Sequence, residues 1–149
     1  MKGGAPSLRQ QLETAESVFV ARVTVAREVA TEEVLPPEAR AELDETQRSE
    51  PLIEASYRLI ETLKGEPSAN GPVYDLPFAA GNCSLGLLPG WDYVFVLQPP
   101  DPEFGRHFVG FFSGSFGLGA YRTSDGPDSS ELEEVRTILR SLSTEPETP

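Results

Sequence analysis

The sequence predicts an all-β fold with flanking helices, in which five strands wrap into a small closed or part-closed barrel. Three observations support this prediction. Five segments have the length and the apolar pattern of strands. No strand is followed by the helical crossover that a parallel sheet requires. A helical pattern stands at each end of the 149-residue chain, which is long enough for one domain with its own core.

A short helix and a long strand open the predicted domain, which spans residues 5–142. Ser7 has the side chain expected of an N-cap, and the apolar residues after it share one helical face. Ser17 to Val29 then alternates as a strand, and its long, changing pattern suits a coiled barrel strand. One face of this strand is predicted to carry Phe19, Ala21, Val23 and Val25.

Four further strands are predicted from alternating apolar residues. They cover Leu52–Leu63, Val73–Phe78, Trp91–Gln98 and Phe104–Phe112. The segments between them are rich in Gly, Pro and Asn, which are typical of turns. The glycine-rich stretch 113–122 is predicted to continue the fifth strand.

An acidic insertion separates the first two strands. Residues 31–50 carry seven acidic side chains against Arg40 and Arg48, a local charge of −5. Residues 125–149 carry the same local charge, so most of the net charge of −12 lies outside the strands. We expect residues 30–51 to form a mobile, solvated excursion with one or two helical turns. The acidity argues against nucleic-acid binding, and no apolar run reaches the roughly 20 residues that membrane insertion needs.

An amphipathic helix is predicted near the C-terminus. Ser130 and Glu133 fit a capping box at its start. Residues 143–149 are predicted to be a disordered tail. The apolar stripe of the helix consists of Leu132, Val135, Leu139 and Leu142.

The residues that could carry chemistry do not form a recognisable catalytic set. His107 is the single histidine and Cys83 is the single cysteine. A nucleophile elbow requires a glycine two residues before the serine and another two residues after it. Ser113 has neither glycine, and Ser115 has only the second, Gly117. Cys83 has no basic neighbour in sequence, so we interpret it as a partly buried, inert thiol. We therefore predict no enzyme activity, no catalytic residue, no metal site and no cofactor.

The late phenylalanines form the candidate binding surface. Aromatic side chains on the face of a small barrel can stack on bases or sugars. Alternation places Phe108 and Phe112 on one face and Phe111 on the other, which favours a core role for part of the group. The candidate residues are Phe104, Phe108, Phe112 and Phe116.

Several short segments, taken in their order and spacing, indicate a family resemblance. They are the helix and strand of residues 6–23, the stretch Ile60-Glu61-Thr62-Leu63-Lys64-Gly65, and Cys83 followed by Gly90-Trp91-Asp92-Tyr93-Val94-Phe95. Together they resemble the netrin-like domain, the fold shared with tissue inhibitors of metalloproteinases. Ser113-Gly114-Ser115 is similar to the late Ser-Gly-Thr segment of that family. The resemblance covers most of residues 5–142 outside the insertion and implies a five-stranded OB-type barrel.

The chain departs from that family in its cysteines. No cysteine stands near the N-terminus, and Phe112 stands where the family has its late cysteine. The chain therefore resembles a bacterial-type member that lacks the usual disulfide framework. In the inhibitors the N-terminal cysteine chelates the protease zinc, so we do not expect metalloproteinase inhibition here.

The resemblance implies a non-enzymatic, inhibitor-like module that binds a protein partner of unknown identity. It also implies a secreted, periplasmic or cell-surface location. No hydrophobic signal segment follows Met1-Lys2, so we expect any export signal to have been removed from this chain. The alternative is an OB barrel that binds a small molecule or an oligosaccharide through the late phenylalanines.

Overall fold

The computed structural model describes residues 7–77, 84–100, 105–110, 113–120, 122 and 129–144. Its strands are β1 (Ser17–Ala30), β2 (Pro51–Lys64), β3 (Val73–Asp75), β4 (Trp91–Leu97) and β5 (Phe116–Ala120). Its helices are α1 (Leu8–Thr14), α2 (Thr31–Val34), α3 (Pro37–Ala41), α4 (Glu45–Ser49) and α5 (Ser130–Thr144). The strands form one antiparallel sheet in the order β3-β2-β1-β4-β5. The predicted class, all-β with flanking helices, is confirmed at this level.

Both faces of the sheet are covered by apolar residues, because β1 and β4 alternate two apolar sets. The first face has its buried core at Phe19, Ala21, Val23, Ala55, Tyr57, Val73, Leu87, Tyr93, Phe95, Leu97 and Val109. The second face packs against α1 and α5 through Leu12, Ala15, Val18, Val20, Val94, Val96, Leu132 and Val135. The continuous apolar runs of β1 and β4 therefore follow from burial on two sides.

The sheet is not closed within the part of the chain that the structure describes. β3 and β5 are its two edges, and no ladder joins them. A single parallel bridge joins Tyr74 of β3 to Phe108. In that bridge Tyr74 N donates to His107 O at 3.0 Å, and Val109 N donates to Tyr74 O at 2.7 Å. The segment that leads toward β5 therefore lies along the outer edge of β3.

The fifth strand begins later than predicted, and it lies in the predicted glycine-rich continuation rather than in residues 105–110. Residues 105–110 make the one bridge at Phe108, and the strand that pairs with β4 is Phe116–Ala120. In the sequence, the aromatic residues of 104–112 have the spacing that is typical of a strand. Phe108 instead packs against Tyr74, with ring centroids 5.9 Å apart. The glycine-rich stretch forms the strand because its backbone can pair with β4.

A bulge in β1 also changes the predicted facing of Val25. The register with β2 shifts between Val23 and Val25. An extra residue at this point turns the following side chains to the opposite face. Ala26 packs against the first-face core, while Val25 is 54% exposed.

The acidic excursion is folded back onto the domain at its first turn. α2, α3 and α4 follow β1 and precede β2 in the sequence. Thr31 N donates to Glu50 O at 2.8 Å, which joins the two ends of the excursion. Val34 and Leu35 are buried, and Val34 O accepts a hydrogen bond from Arg106 Nε at 3.0 Å. The expectation of a wholly solvated excursion is therefore wrong for these residues.

The two terminal helices agree with the sequence pattern except at one cap. Ser7 caps α1, and Gln10 completes its capping box. In α5 the predicted box at Ser130 is wrong by one residue, because Ser129 Oγ accepts from the N–H of Leu132 at 3.1 Å. The predicted apolar stripe packs on the second face. The helix continues to residue 144, so the start predicted for the tail at 143 is too early, and residues 145–149 lie outside the described chain.

Candidate functional site

The turn before β4 presents two large apolar side chains to solvent. Leu88 is 49% exposed and Trp91 is 38% exposed. Trp91 N donates to Leu88 O at 3.2 Å across the turn, and Gly90 N donates to Val23 O at 2.8 Å. Gly90 has a φ of 87°, which favours glycine because other residues rarely adopt a positive φ. These contacts hold the turn against β1.

Tyr93 fixes the same turn from the core side. Its hydroxyl accepts a hydrogen bond from Leu88 N at 2.9 Å and donates one to Gly86 O at 3.0 Å. The ring is buried and stacks on Phe95, with centroids 5.5 Å apart. Burial raises the pKa of Tyr93 above its ordinary value, which favours the protonated, donating form of the hydroxyl.

A buried carboxylate supports the segment that precedes the turn. Asp75 is 1% exposed and follows the short strand β3. Its two oxygens accept from Leu76 N and Leu85 N, both at 2.8 Å, and from Ser84 Oγ at 3.1 Å. Burial raises the pKa of Asp75, and these hydrogen bonds act in the opposite direction. The carboxylate therefore serves as an acceptor that organises residues 84–86.

An ion-pair cluster stabilises β4 on the other face. Asp92 is 2% exposed and accepts from Arg22 Nε at 2.7 Å and Arg22 Nη2 at 3.2 Å. Arg122 Nη1 lies 3.7 Å from the same carboxylate, and Arg22 also donates to the backbone oxygen of Arg122. The hydrogen bond to Asp92 raises the pKa of Arg22. The bidentate pairing ties β1 to the residue that follows Trp91.

We call Leu88 and Trp91 the turn surface. They are two of the five large hydrophobic residues that are exposed in the described chain, the others being Val25, Ile60 and Leu76. Because side chains alternate along a strand and Ala26 packs on the first-face core, Val25 faces the other side of the sheet.

A separate cleft of about 220 Å³ lies near the start of β1. Tyr57, Tyr74 and Leu97 line it together with His107 and Glu16. His107 Nδ1 is 3.3 Å from Gln98 O, and His107 Nε2 is 3.6 Å from Glu16 Oε1. The single histidine of the chain therefore faces a carbonyl and a carboxylate.

The two serines considered as nucleophiles have structural hydrogen bonds. Ser115 Oγ accepts from Val96 N at 2.8 Å and donates to Val96 O at 3.3 Å. Ser113 Oγ donates to Gly110 O at 2.9 Å and lies 3.0 Å from Ser115 Oγ. Among the described contacts, neither hydroxyl bonds to His107. Both serines are buried; Ser115 binds the chain before β5 to β4, and Ser113 bonds within that segment of the chain.

The structure does not bring the candidate phenylalanines together where it describes them. Phe108 packs against the cluster of Val29, Val34, Leu52 and Tyr74. Phe116 packs against the second-face core. Phe104 and Phe112 lie outside the described residues, as does Cys83.

The residues that build the turn surface had only weak signals in the sequence. Tyr93 and Asp92 belong to the segment used for the resemblance, but nothing local indicates their partners. Asp75 was detectable as an acidic residue in an otherwise apolar strand. Such a residue is buried only when it is paired or hydrogen-bonded, and two of its three donors, Ser84 and Leu85, lie nine and ten residues away.

No protein-family model matches the sequence, and no curated protein matches it either. Within the described ranges, no group of three or more His, Cys, Asp or Glu side chains is arranged to hold a metal ion. No described helix combines the length and apolar character needed to cross a bilayer.

Proposed function

We propose that this protein is a non-enzymatic protein-interaction module that binds its partner through the turn surface. The observation that carries the proposal is the rigid display of Leu88 and Trp91. Tryptophan and other large apolar residues dominate binding energy when they enter a pocket of the partner. A turn that is already ordered loses little conformational entropy on binding.

The contacts around the turn support this role. Hydrogen bonds from Leu88 N and Gly90 N fix the turn to Tyr93 and Val23. Leu88 and Trp91 are both exposed on one ordered turn, and neighbouring exposed apolar residues favour an interaction role over residues that are scattered singly. The partner would supply an apolar pocket with a basic rim, because the chain carries a net charge of −12.

We propose further that the five strands form a part-open OB-type barrel related to the netrin-like domain. The strand count and the parallel bridge from Tyr74 to Phe108 support this, because the bridge brings the chain before β5 to the opposite edge of the sheet. Export from the cell belongs to the same proposal and rests on the sequence resemblance alone.

The environments of the polar side chains favour binding over catalysis. Ser113 and Ser115 direct their hydroxyls at backbone groups, and Asp75 accepts three hydrogen bonds within its own loop. Nucleophilic catalysis needs a hydroxyl within reach of a base. Because the hydrogen bonds of these side chains already hold loops in place, they support a scaffold role.

Differential capture tests the proposed function. The protein, a Leu88→Ser/Trp91→Ser variant and an Ile60→Ser control would each be immobilised and incubated with extracts of the source organism. We expect at least one protein to bind the parent and the control but not the double variant. If every captured protein binds all three equally, the turn surface is not the binding site.

Small-molecule binding is a second candidate, and the cleft beside His107 favours it. Its lining combines aromatic and polar side chains, which is the mixed character of ligand sites. A panel of small sugars and oligosaccharides would be tested by thermal shift against the parent and a His107→Ala variant. Stabilisation of the parent alone would support this candidate, and no shift with any compound would count against it.

A further inference from the structure

β1 changes from an interior strand to an edge strand along its length. From Ser17 to Arg22 it lies between β2 and β4. Beyond the hydrogen bond from Gly90 N to Val23 O, no described strand pairs with it on the β4 side. Among the described residues, the segment Val25–Ala30 therefore pairs with β2 alone, and we call its other side the free edge.

The ladder between β1 and β2 determines which backbone groups face the free edge. Thr31 N donates to Glu50 O, which marks a hydrogen-bonded pair at the end of the hairpin. The register runs from that end to the bulge without a shift. Since hydrogen-bonded and non-hydrogen-bonded pairs alternate, the N–H and C=O groups of Ala26 and Glu28 point away from β2. Pro51, which has no N–H, occupies a non-hydrogen-bonded position, as this alternation requires.

At the same level of the sheet, the opposite edge strand, β3, is covered by other backbone groups. β3 pairs with β2, and the backbone of residues 107–109 covers the outer side of Tyr74 with two hydrogen bonds. No described backbone group makes a corresponding bond to Ala26 or Glu28. An edge with unpaired N–H and C=O groups is a template for another strand.

We propose that the free edge accepts an extended segment of the partner protein as an additional antiparallel strand, paired with Ala26 and Glu28. The inference rests on the proposed function, because the turn surface supplies the apolar anchor at one end of this edge. Main-chain hydrogen bonds give affinity in such strand addition, and side-chain contacts give specificity.

The two ends of the free edge specify the chemistry of that segment. At one end Leu88 and Trp91 are exposed and apolar. At the other end the excursion of residues 31–50 has a charge of −5. Arg27, between the ends, is paired with Glu54 at 2.8 Å. An antiparallel segment would therefore be basic at its N-terminal end and apolar at its C-terminal end.

A synthetic peptide of this pattern, acetyl-Lys-Thr-Lys-Val-Thr-Val-Leu-amide, is the probe. Trp91 is the single tryptophan, so its fluorescence reports binding at one end of the edge. We expect saturable binding with Kd below about 1 mM, and binding at least about tenfold weaker when glutamate replaces both lysines. A lack of saturation up to that concentration, or equal affinity for the two peptides, overturns the proposal.

Two N-methylated peptides separate strand pairing from simple apolar contact. One carries methyl groups on alternate backbone nitrogens, and the other carries them on the remaining set. Since only one edge of an added strand faces β1, one peptide should lose at least about tenfold in affinity and the other should bind like the parent. Equal behaviour of both forms rules out strand addition.

Variants of Glu28 test the same pairing from the protein side. Glu28→Pro removes an outward N–H and leaves the β1–β2 ladder intact, whereas Glu28→Gln removes only the charge. We expect the proline variant to lose peptide binding and the glutamine variant to keep it. Hydrogen exchange by NMR on the parent needs no variant. The amides of Ala26 and Glu28 should exchange faster than that of Arg27 and become protected by peptide, and unchanged exchange overturns the pairing.

A Leu88→Ser variant distinguishes this inference from the proposed function. If partner capture depends on the turn surface while the peptide fails to bind, strand addition is wrong and the proposed function stands. If the peptide binds Leu88→Ser as tightly as it binds the parent, and capture is also unchanged, the free edge stands without the turn surface.

Discussion

Replacement of Tyr93 by phenylalanine tests how the turn surface is held. The change removes only the hydroxyl that accepts from Leu88 N and donates to Gly86 O. The ring stays in the core, where it stacks on Phe95. No cavity larger than one oxygen atom is created, so the effect should come from the two lost hydrogen bonds.

The expected loss can be worked out from those bonds. One intramolecular hydrogen bond contributes about 1 kcal/mol net, and an unsatisfied partner adds to the cost when it is buried. Tyr93→Phe should therefore lower the free energy of unfolding by about 2 kcal/mol. Tyr57→Phe is the matched control, since its hydroxyl makes one bond, to Ser68 O at 2.9 Å, and about 1 kcal/mol should be lost.

Urea denaturation monitored by Trp91 fluorescence would measure both values, with the m-value checked for constancy. Hydrogen exchange at Leu88 adds a local readout, because its amide should exchange faster in the Tyr93 variant and stay unchanged in the Tyr57 variant. A loss below half a kcal/mol for Tyr93→Phe, or no change at the Leu88 amide, would refute the claim that this hydroxyl holds the turn.

Three further predictions concern packing and pH. Leu132→Ala should cost about 2–5 kcal/mol in urea denaturation because the side chain is fully buried under α5, and the half-buried Leu139→Ala should cost less; equal small losses would mean that the helix is not docked. Burial and the hydrogen bond to Glu54 raise the pKa of Tyr74 to about 12, so stability present below pH 10 should fall as the pH rises toward 12. A Tyr74→Phe variant with the same alkaline unfolding profile as the parent would contradict this. Deletion of residues 31–49 should lower the melting temperature because Val34 and Leu35 are buried, and an unchanged melting temperature would disprove their contribution.

Much of the secondary structure was predictable from the sequence. The cap at Ser7, the long alternating strands and the apolar stripe of α5 depend on near neighbours and regular periods, and each appears in the structure. The fifth strand was predicted to start too early, because the aromatic run before the glycine-rich run also has the local pattern of a strand. Pairing with β4 decided between them, and that pairing is a long-range interaction.

The candidate site was less predictable for the same reason. Trp91 belongs to a segment that the sequence analysis used, but the bond from Gly90 N to Val23 O that holds its turn against β1 joins residues far apart in the sequence. The bonds from Tyr93 to the turn and from Asp75 to residues 84 and 85 join groups that are separated along the chain. No periodic pattern encodes such partners.

The sequence by itself determined the apolar and polar periods, the caps and turns, and the acidity of the chain, because these follow from local geometry and composition. Only the tertiary structure decided which segment completes the sheet, where β1 becomes an edge, and which polar groups are buried. Those outcomes depend on backbone hydrogen bonds and packing between residues that are distant in the sequence. Such interactions form only when the sheet forms.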